Sequence, residues 1–163
     1  MTAEPPSQTR AALYPVADLR AYLVGAWEIR RTLDDRRRAA QGHFEGRATF
    51  TPGDENTLAY REEGCLELGG FETLAHQSYL YAFPAPHGRL HRGPHRAEVR
   101  FADGRPFHAL DLSDGRWAAE HLCGRDLYRG RFRAEGAERW SVTWTVAGPR
   151  KDQVLESRFT RAA

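Results

Sequence analysis

From Gly25 to the end of the chain, apolar and polar residues alternate with a period of two, and short turn clusters interrupt the pattern about every ten residues. A period of two places alternate side chains on opposite faces of a strand, so each run has one face to bury. Trp27, Ile29, Arg31 and Leu33 set this phase in the first run, and Phe44, Gly46, Ala48 and Phe50 in the second. Leu58, Tyr60, Glu62, Gly64 and Leu66 share a face in the third, and Ala75, Gln77, Tyr79, Tyr81 and Phe83 in the fourth. Further strands are expected near Arg96–Ala102, Pro106–Leu112, Arg116–Cys123, Asp126–Arg133, Arg139–Ala147 and Gln153–Arg161. About ten strands with short links specify an all-β chain, an up-and-down antiparallel barrel or closed sandwich. Asp103-Gly104 and Asp114-Gly115 read as hairpin turns of type I′, which need positive φ at both central residues. They tie the segment Pro94–Phe132 into a meander.

One stretch departs from this period. Pro15 to Leu23 places Val16, Leu19 and Leu23 on one helical face, with Pro15 in the first turn and Gly25 as the stop. A single short helix before the strands is suited to covering one end of a barrel. Residues 1–14 are polar and proline-bearing and are expected to be a flexible arm, leaving 15–163 as one barrel domain. With 163 residues the chain is long enough for one core or a small barrel with a cavity.

Composition narrows the function. A formal net charge of +2 gives no electrostatic case for nucleic acid. Cys65 and Cys123 cannot form a disulfide framework and lack zinc-site spacing. No signal-peptide core or membrane-length apolar run is present, so a cytoplasmic location without a membrane partner is expected.

Gly25-Ala26-Trp27, opening the first strand after a helix, resembles the Gly-x-Trp signature of the calycins: lipocalins, fatty-acid-binding proteins and nitrobindin-like barrels. In lipocalins that tryptophan closes the barrel base under an arginine from a late strand, and the resemblance implies Arg158 or Arg161 for the role. The stretches Phe101–His108, His121–Tyr128 and Trp144–Asp152 are similar to a family of small, uncharacterised microbial proteins. That likeness, running from about Leu19 to Arg161, implies a fold and leaves the function open. No motif aligns a particular histidine with the haem ligand of nitrobindins.

Polar residues in phase with apolar ones point to an interior site. Arg31, Glu62, Gln77, Tyr79, Tyr81, His121, Cys123, Asp126 and Tyr128 all fall on inward-facing sets. Charges in a core are costly unless paired or solvated. The set therefore suggests a cavity holding a small, partly polar ligand, a common use of barrels this size. Arg31 would pair with Glu62 or with a ligand carboxylate, and the tyrosines and Gln77 would orient the ligand. The tryptophan stripe Trp140–Trp144 reads as core, though an aromatic wall also stacks flat ligands.

Two alternatives use the same scaffold. His121, tuned by Asp126 or Glu62, would serve an acid–base enzyme: an isomerase, cyclase or hydrolase. His95, His108 and His121 recur once per strand in the meander, and if they converge they would suit a divalent metal. Haem or gas binding ranks lower. His121 and Cys123, roughly 7 Å apart along one strand, are too distant for a catalytic dyad. No nucleophile elbow, P-loop or dinucleotide fingerprint occurs.

Overall fold

The computed structural model describes residues 12–54, 56–85 and 93–163. One short helix, α1 (Leu19–Leu23), precedes ten strands: β1 (Gly25–Asp35), β2 (Ala40–Pro52), β3 (Thr57–Leu68), β4 (Phe71–Ala82), β5 (Arg96–Phe101), β6 (Pro106–Asp111), β7 (Arg116–Cys123), β8 (Asp126–Gly136), β9 (Arg139–Ala147) and β10 (Asp152–Arg161). All ladders are antiparallel, in the spatial order β6-β5-β4-β3-β2-β1-β10-β9-β8-β7. The sheet curls until its two edge strands, β6 and β7, lie side by side, which makes a nearly closed barrel. They share no ladder; instead the Trp117 indole N–H on β7 donates to the Ala109 carbonyl on β6 at 2.7 Å.

The turns fall out differently from the Asp-Gly expectation. Gly104 and Gly115 have positive φ, but neither Asp103 nor Asp114 does. Gly104 N–H bonds back to Phe101 O, and Phe101 N–H to Arg105 O. This is a type I turn followed by a left-handed glycine. The Asp103 carboxylate accepts the Arg105 backbone N–H at 3.0 Å, a local bond that holds the turn without a left-handed aspartate. The Asp114-Gly115 turn joins the two unpaired edges, so it crosses the seam and closes no hairpin ladder. The type I′ signature lies at Gly69-Gly70, where both residues have positive φ between Leu68 and Phe71.

The helix is shorter than its apolar spacing suggested. Asp18 is extended and caps it, accepting the Ala21 N–H at 2.9 Å. Residues before Asp18 are drawn into the barrel instead: Val16 N–H donates to Leu112 O at 2.9 Å and Tyr14 N–H to Ala134 O at 3.0 Å. Most of the arm expected over residues 1–14 lies outside the described residues.

Because β1 leaves the helix and successive strands run up and down, α1 lies at the end where β1, β3, β5, β7 and β9 begin. The dry core sits there, built from Leu19, Leu23, Trp27, Ile29, Phe50, Leu58, Val99, Leu110 and Leu112, all essentially inaccessible. At roughly 25 cal/mol per Å² of apolar area removed from water, such side chains contribute about 1.5–3 kcal/mol each. The Gly69-Gly70, Asp103-Gly104 and Gly124-Arg125 turns lie at the opposite end, and among the described residues no helix caps it. No helix among the described residues is long and apolar enough to cross a membrane.

Candidate ligand-binding cavity

One end of the barrel is sealed by the pair that the Gly-x-Trp resemblance implied. The Trp27 indole donates to Leu23 O at 2.8 Å, fixing the ring beneath the helix. The Arg161 guanidinium lies 3.9 Å from the centre of the Trp27 ring and donates to Val24 O at 2.7 Å and Tyr22 O at 2.6 Å. Those two carbonyls are at the helix C-terminus, where a cation is favoured. Arg161 therefore fills the role; Arg158 is exposed on the outer face.

Toward the other end the inward side chains no longer meet, and they enclose a cavity of about 350 Å³. Its apolar wall comes from Leu33, Phe44, Leu66, Ala75, Phe107, Phe132, Trp140, Val142, Trp144, Val146, Leu155 and Phe159. Its polar lining comes from Arg31, Tyr60, Glu62, His76, Gln77, Tyr79, Tyr81, His108, Tyr128 and Ser157.

The polar lining has a rigid centre. Arg31 Nη1 and Nη2 donate to the two carboxylate oxygens of Glu62 at 2.7 and 2.9 Å, a bidentate pair. Arg31 Nε donates to Ser157 Oγ at 2.7 Å, and the Tyr60 hydroxyl donates to Glu62 Oε2. The sequence makes room for this bridge by leaving small residues on the strand between the partners. Arg31 (β1) and Glu62 (β3) reach across β2, where Gly46 and Ala48 hold the intervening inward positions. The Phe44 ring folds over Gly46 and the cross-strand Gly64, where a Cβ would meet it at 2.6 and 2.8 Å. The guanidinium of Arg31 then lies over that ring, 5.2 Å from its centre.

Burial opposes the charge on Arg31, but the hydrogen bonds and charge of Glu62 outweigh it, and its pKa is raised. Burial also raises the neighbouring phenols: Tyr79 up to about 12, and Tyr60 and Tyr81 well above the usual tyrosine range. All three stay neutral donors near pH 7. His108, buried among Phe107, Phe132 and Trp144, is pulled down to about 4, chiefly by desolvation. Its Nδ1 lies 2.7 Å from Ala109 O. A neutral ring in that position carries its proton on Nδ1 and keeps Nε2 as an acceptor. Among the buried side-chain nitrogens and oxygens of the described residues, the indole Nε1 of Trp140 has no hydrogen-bond partner.

The residues singled out in the sequence separate into three groups. Arg31, Glu62, Gln77, Tyr79, Tyr81 and Tyr128 line the cavity together. His121, Cys123 and Asp126 lie beyond its lining. His121 packs edge-on against Phe101 and Phe107 at 5.4 and 5.1 Å and against Tyr128 at 6.2 Å. Asp126 pairs with Lys151 at 3.1 Å and not with His121. Cys123, opposite Asp126 at the β7–β8 turn, is exposed, as is Cys65. Of the three spaced histidines, only His108 lines the cavity. His95 is exposed, 3.8 Å from Asp111. Among the described residues, no three His, Cys, Asp or Glu side chains group to hold a metal ion.

Several lining residues escaped the sequence reading. His108 keeps the inward phase of Leu110 and Leu112, but a register shift at Val99/Arg100 also turns Phe107 inward at the adjacent position, which no alternation would show. Ser157 could have been found, because it is in phase with Leu155 and Phe159 on β10. Gly130 is a strand glycine under the Trp144 ring, three of whose atoms would lie 2.8–2.9 Å from a Cβ. A glycine inside a strand is a signal for such a close approach.

The described residues form a nearly closed antiparallel barrel, sealed at one end by a helix over a Trp–Arg pair and hollow toward the other. The chain belongs to the DUF6314 family, a family of unknown function, whose profile matches residues 23–161. No curated protein matches the sequence. The fold is similar to that of the S-type phycobiliprotein lyase CPES from Guillardia theta, with a TM-score of 0.63 at 10% identity over 88% of this chain and 90% of that one. Two designed proteins align less well. A fluorescence-activating β-barrel designed de novo gives 0.46 at 14% identity over 90% of this chain and 100% of that one. The redesigned barrel mFAP1, bound to DFHBI, gives 0.42 at 12% identity over 87% and 97%.

Proposed function

We propose that this protein binds one small, partly polar molecule inside the barrel. The observation that carries the reading is a cavity of about 350 Å³ into which polar groups from five or more strands converge. That is within the range of small-molecule sites, which combine a mostly apolar lining with a few placed polar groups. Arg31, Glu62, Tyr60 and Ser157 hold one another and form a fixed polar wall. Gln77, Tyr79, Tyr81 and Tyr128 supply hydrogen bonds for orientation, and His108 supplies an acceptor. His121, Cys123 and Asp126 are assigned to the rim at the hollow end, where a ligand would pass.

Titration of a library of small neutral and charged compounds, followed through the indole N–H resonances of the four tryptophans, tests this. Binders are expected to shift Trp140 and Trp144. Trp27 and Trp117, whose N–H groups are tied to Leu23 O and Ala109 O, should stay nearly fixed. An Ala75→Trp variant, which fills the cavity from β4, should abolish those shifts. Compounds that bind with every shift on the outer face of the barrel would refute the reading.

A further inference from the structure

We infer that two copies of this chain pair through the free edge of β4, antiparallel about a two-fold axis at Leu74, and that each copy completes the other's cavity wall. The pairing does not depend on what the cavity holds.

The edge comes first. β4 covers Phe71–Ala82, but β5 pairs only with Tyr79–Ala82. Phe71–Ser78 therefore has β3 on one side and, among the described residues, no strand on the other. Such a row of unpaired N–H and C=O groups is a template for another strand, and monomers protect it with proline, lysine, a bulge or a short edge. None of these is present. Phe71–Ser78 contains no proline, lysine or arginine, and its register against β3 is unbroken. It also carries the two most exposed large apolar side chains of the described residues, Phe71 at 81% and Leu74 at 87%.

Symmetry narrows the register. A two-fold axis normal to the sheet keeps the same faces on the same side, so it must fall between one residue and its own copy. Centring on Thr73 leaves His76 to Ser78 without a partner. Centring on Ala75 sets Phe71 against Tyr79, whose edge β5 already occupies. Centring on Leu74 pairs Phe71–Gln77 with the same run reversed, which fills the free edge and ends at the Gly69-Gly70 turn.

That register is self-complementary. On the outer face Leu74 meets its own copy, flanked on both sides by Glu72 opposite His76. Within one chain Glu72 stands opposite Glu67, a like charge, and it has no ion pair among the described residues. Like charges directly opposite are unfavourable across strands, and an acceptor facing an imidazole donor is favourable. The inner face links the pairing to the cavity. Ala75 and Gln77 have inward parity and His76 outward, yet all three border the cavity, and Gln77 is exposed. The cavity thus opens past this edge. In the paired register, Thr73 and Phe71 of the second copy stand opposite Ala75 and Gln77 and supply the wall that β5 is too short to give.

Sedimentation equilibrium of the intact chain at micromolar concentration is expected to give twice the 18.5 kDa of one chain. Leu74→Lys sets two cations against each other on the axis and should weaken the dimer about a hundredfold, with an unchanged far-ultraviolet spectrum. Glu72→Lys should weaken it roughly tenfold, and Glu72→Lys with His76→Glu should restore it, since the swapped pair again has opposite charges. For a second readout, Leu74→Cys is made in a Cys65→Ser, Cys123→Ser background, which removes both exposed thiols. Directly opposed residues have Cα atoms about 4.5–5.5 Å apart, within disulfide reach, so oxidation with diamide should link the two copies. Thr160→Cys, exposed on β10 in the same background, should stay unlinked. A chain that stays monomeric at these concentrations would overturn the inference. So would a dimer indifferent to Leu74→Lys, or equal cross-linking at positions 74 and 160.

Discussion

Replacing Arg31 and Glu62 with methionine, singly and together, gives a sharp test of how the polar wall is held. Glu62 has 7% of its side chain exposed and Arg31 20%, and their two contacts are 2.7 and 2.9 Å. Arg31→Met would leave Glu62 with the Tyr60 hydroxyl alone. Glu62→Met would leave a cation held only by Ser157 and would strip the buried Tyr60 hydroxyl of its acceptor. Removing one partner of a buried pair costs about 3–5 kcal/mol. The fifth of Arg31 that stays exposed lowers this, so each single variant should lose roughly 2–3 kcal/mol. The double variant abolishes both charges and keeps two linear side chains of similar length. It should lose only about 2 kcal/mol, mostly from the stranded Tyr60 hydroxyl. The coupling is then about 3 kcal/mol, and the double variant is no less stable than either single one. Urea unfolding followed by tryptophan fluorescence reads this directly, provided the m-values agree. Single losses below about 0.5 kcal/mol that simply add in the double variant would refute the reasoning, because water in the cavity would then be solvating both groups.

Three other outcomes follow from the same geometry. His108 has a folded pKa of about 4 against an ordinary 6.5, so the unfolded chain binds the extra proton between these values. Stability is therefore full above pH 6.5 and falls as pH is lowered toward 4; between pH 8 and 5 the wild type should lose about 2 kcal/mol more than His108→Phe, and parallel curves would contradict this. Arg161→Met removes two bonds to helix carbonyls and the cover over Trp27, a loss of about 2–3 kcal/mol and a melting temperature lower by roughly 5–10 °C; Arg158→Met, on the outer face, should change little, and equal effects would count against the Trp–Arg seal. Gly130→Ala should press on the Trp144 indole, costing about 1–2 kcal/mol of stability and weakening binding of a cavity compound roughly tenfold, measured by titration; unchanged affinity would mean that Trp144 is not part of the wall.

The sequence carried the architecture because the barrel's inner face is written in alternation. Arg31, Glu62, Gln77, Tyr79, Tyr81 and Tyr128 could be found together because each keeps the phase of the apolar residues on its own strand. What alternation cannot show is where that phase breaks or how a barrel closes. The register shift at Val99/Arg100 put Phe107 inside beside the in-phase His108. The seam left β6 and β7 unpaired across a turn that looked like an ordinary hairpin. Nor does phase tell how far along the barrel a residue lies. Cys123 has inward parity, but it sits at the last position before a turn, where it is exposed. Asp126 found Lys151 from a different loop, a long-range pairing that local spacing does not encode.

Native mass spectrometry of the protein, purified without denaturation from cells that make it, tests interior binding most directly when the wild type and Ala75→Trp are compared. A cavity of about 350 Å³ has room for one small molecule. The wild type should carry a single adduct of one discrete small-molecule mass, released on unfolding, and the cavity-filled variant should lack it while remaining folded. An adduct retained by Ala75→Trp with undiminished occupancy would contradict the account, since the molecule would then be bound outside the barrel.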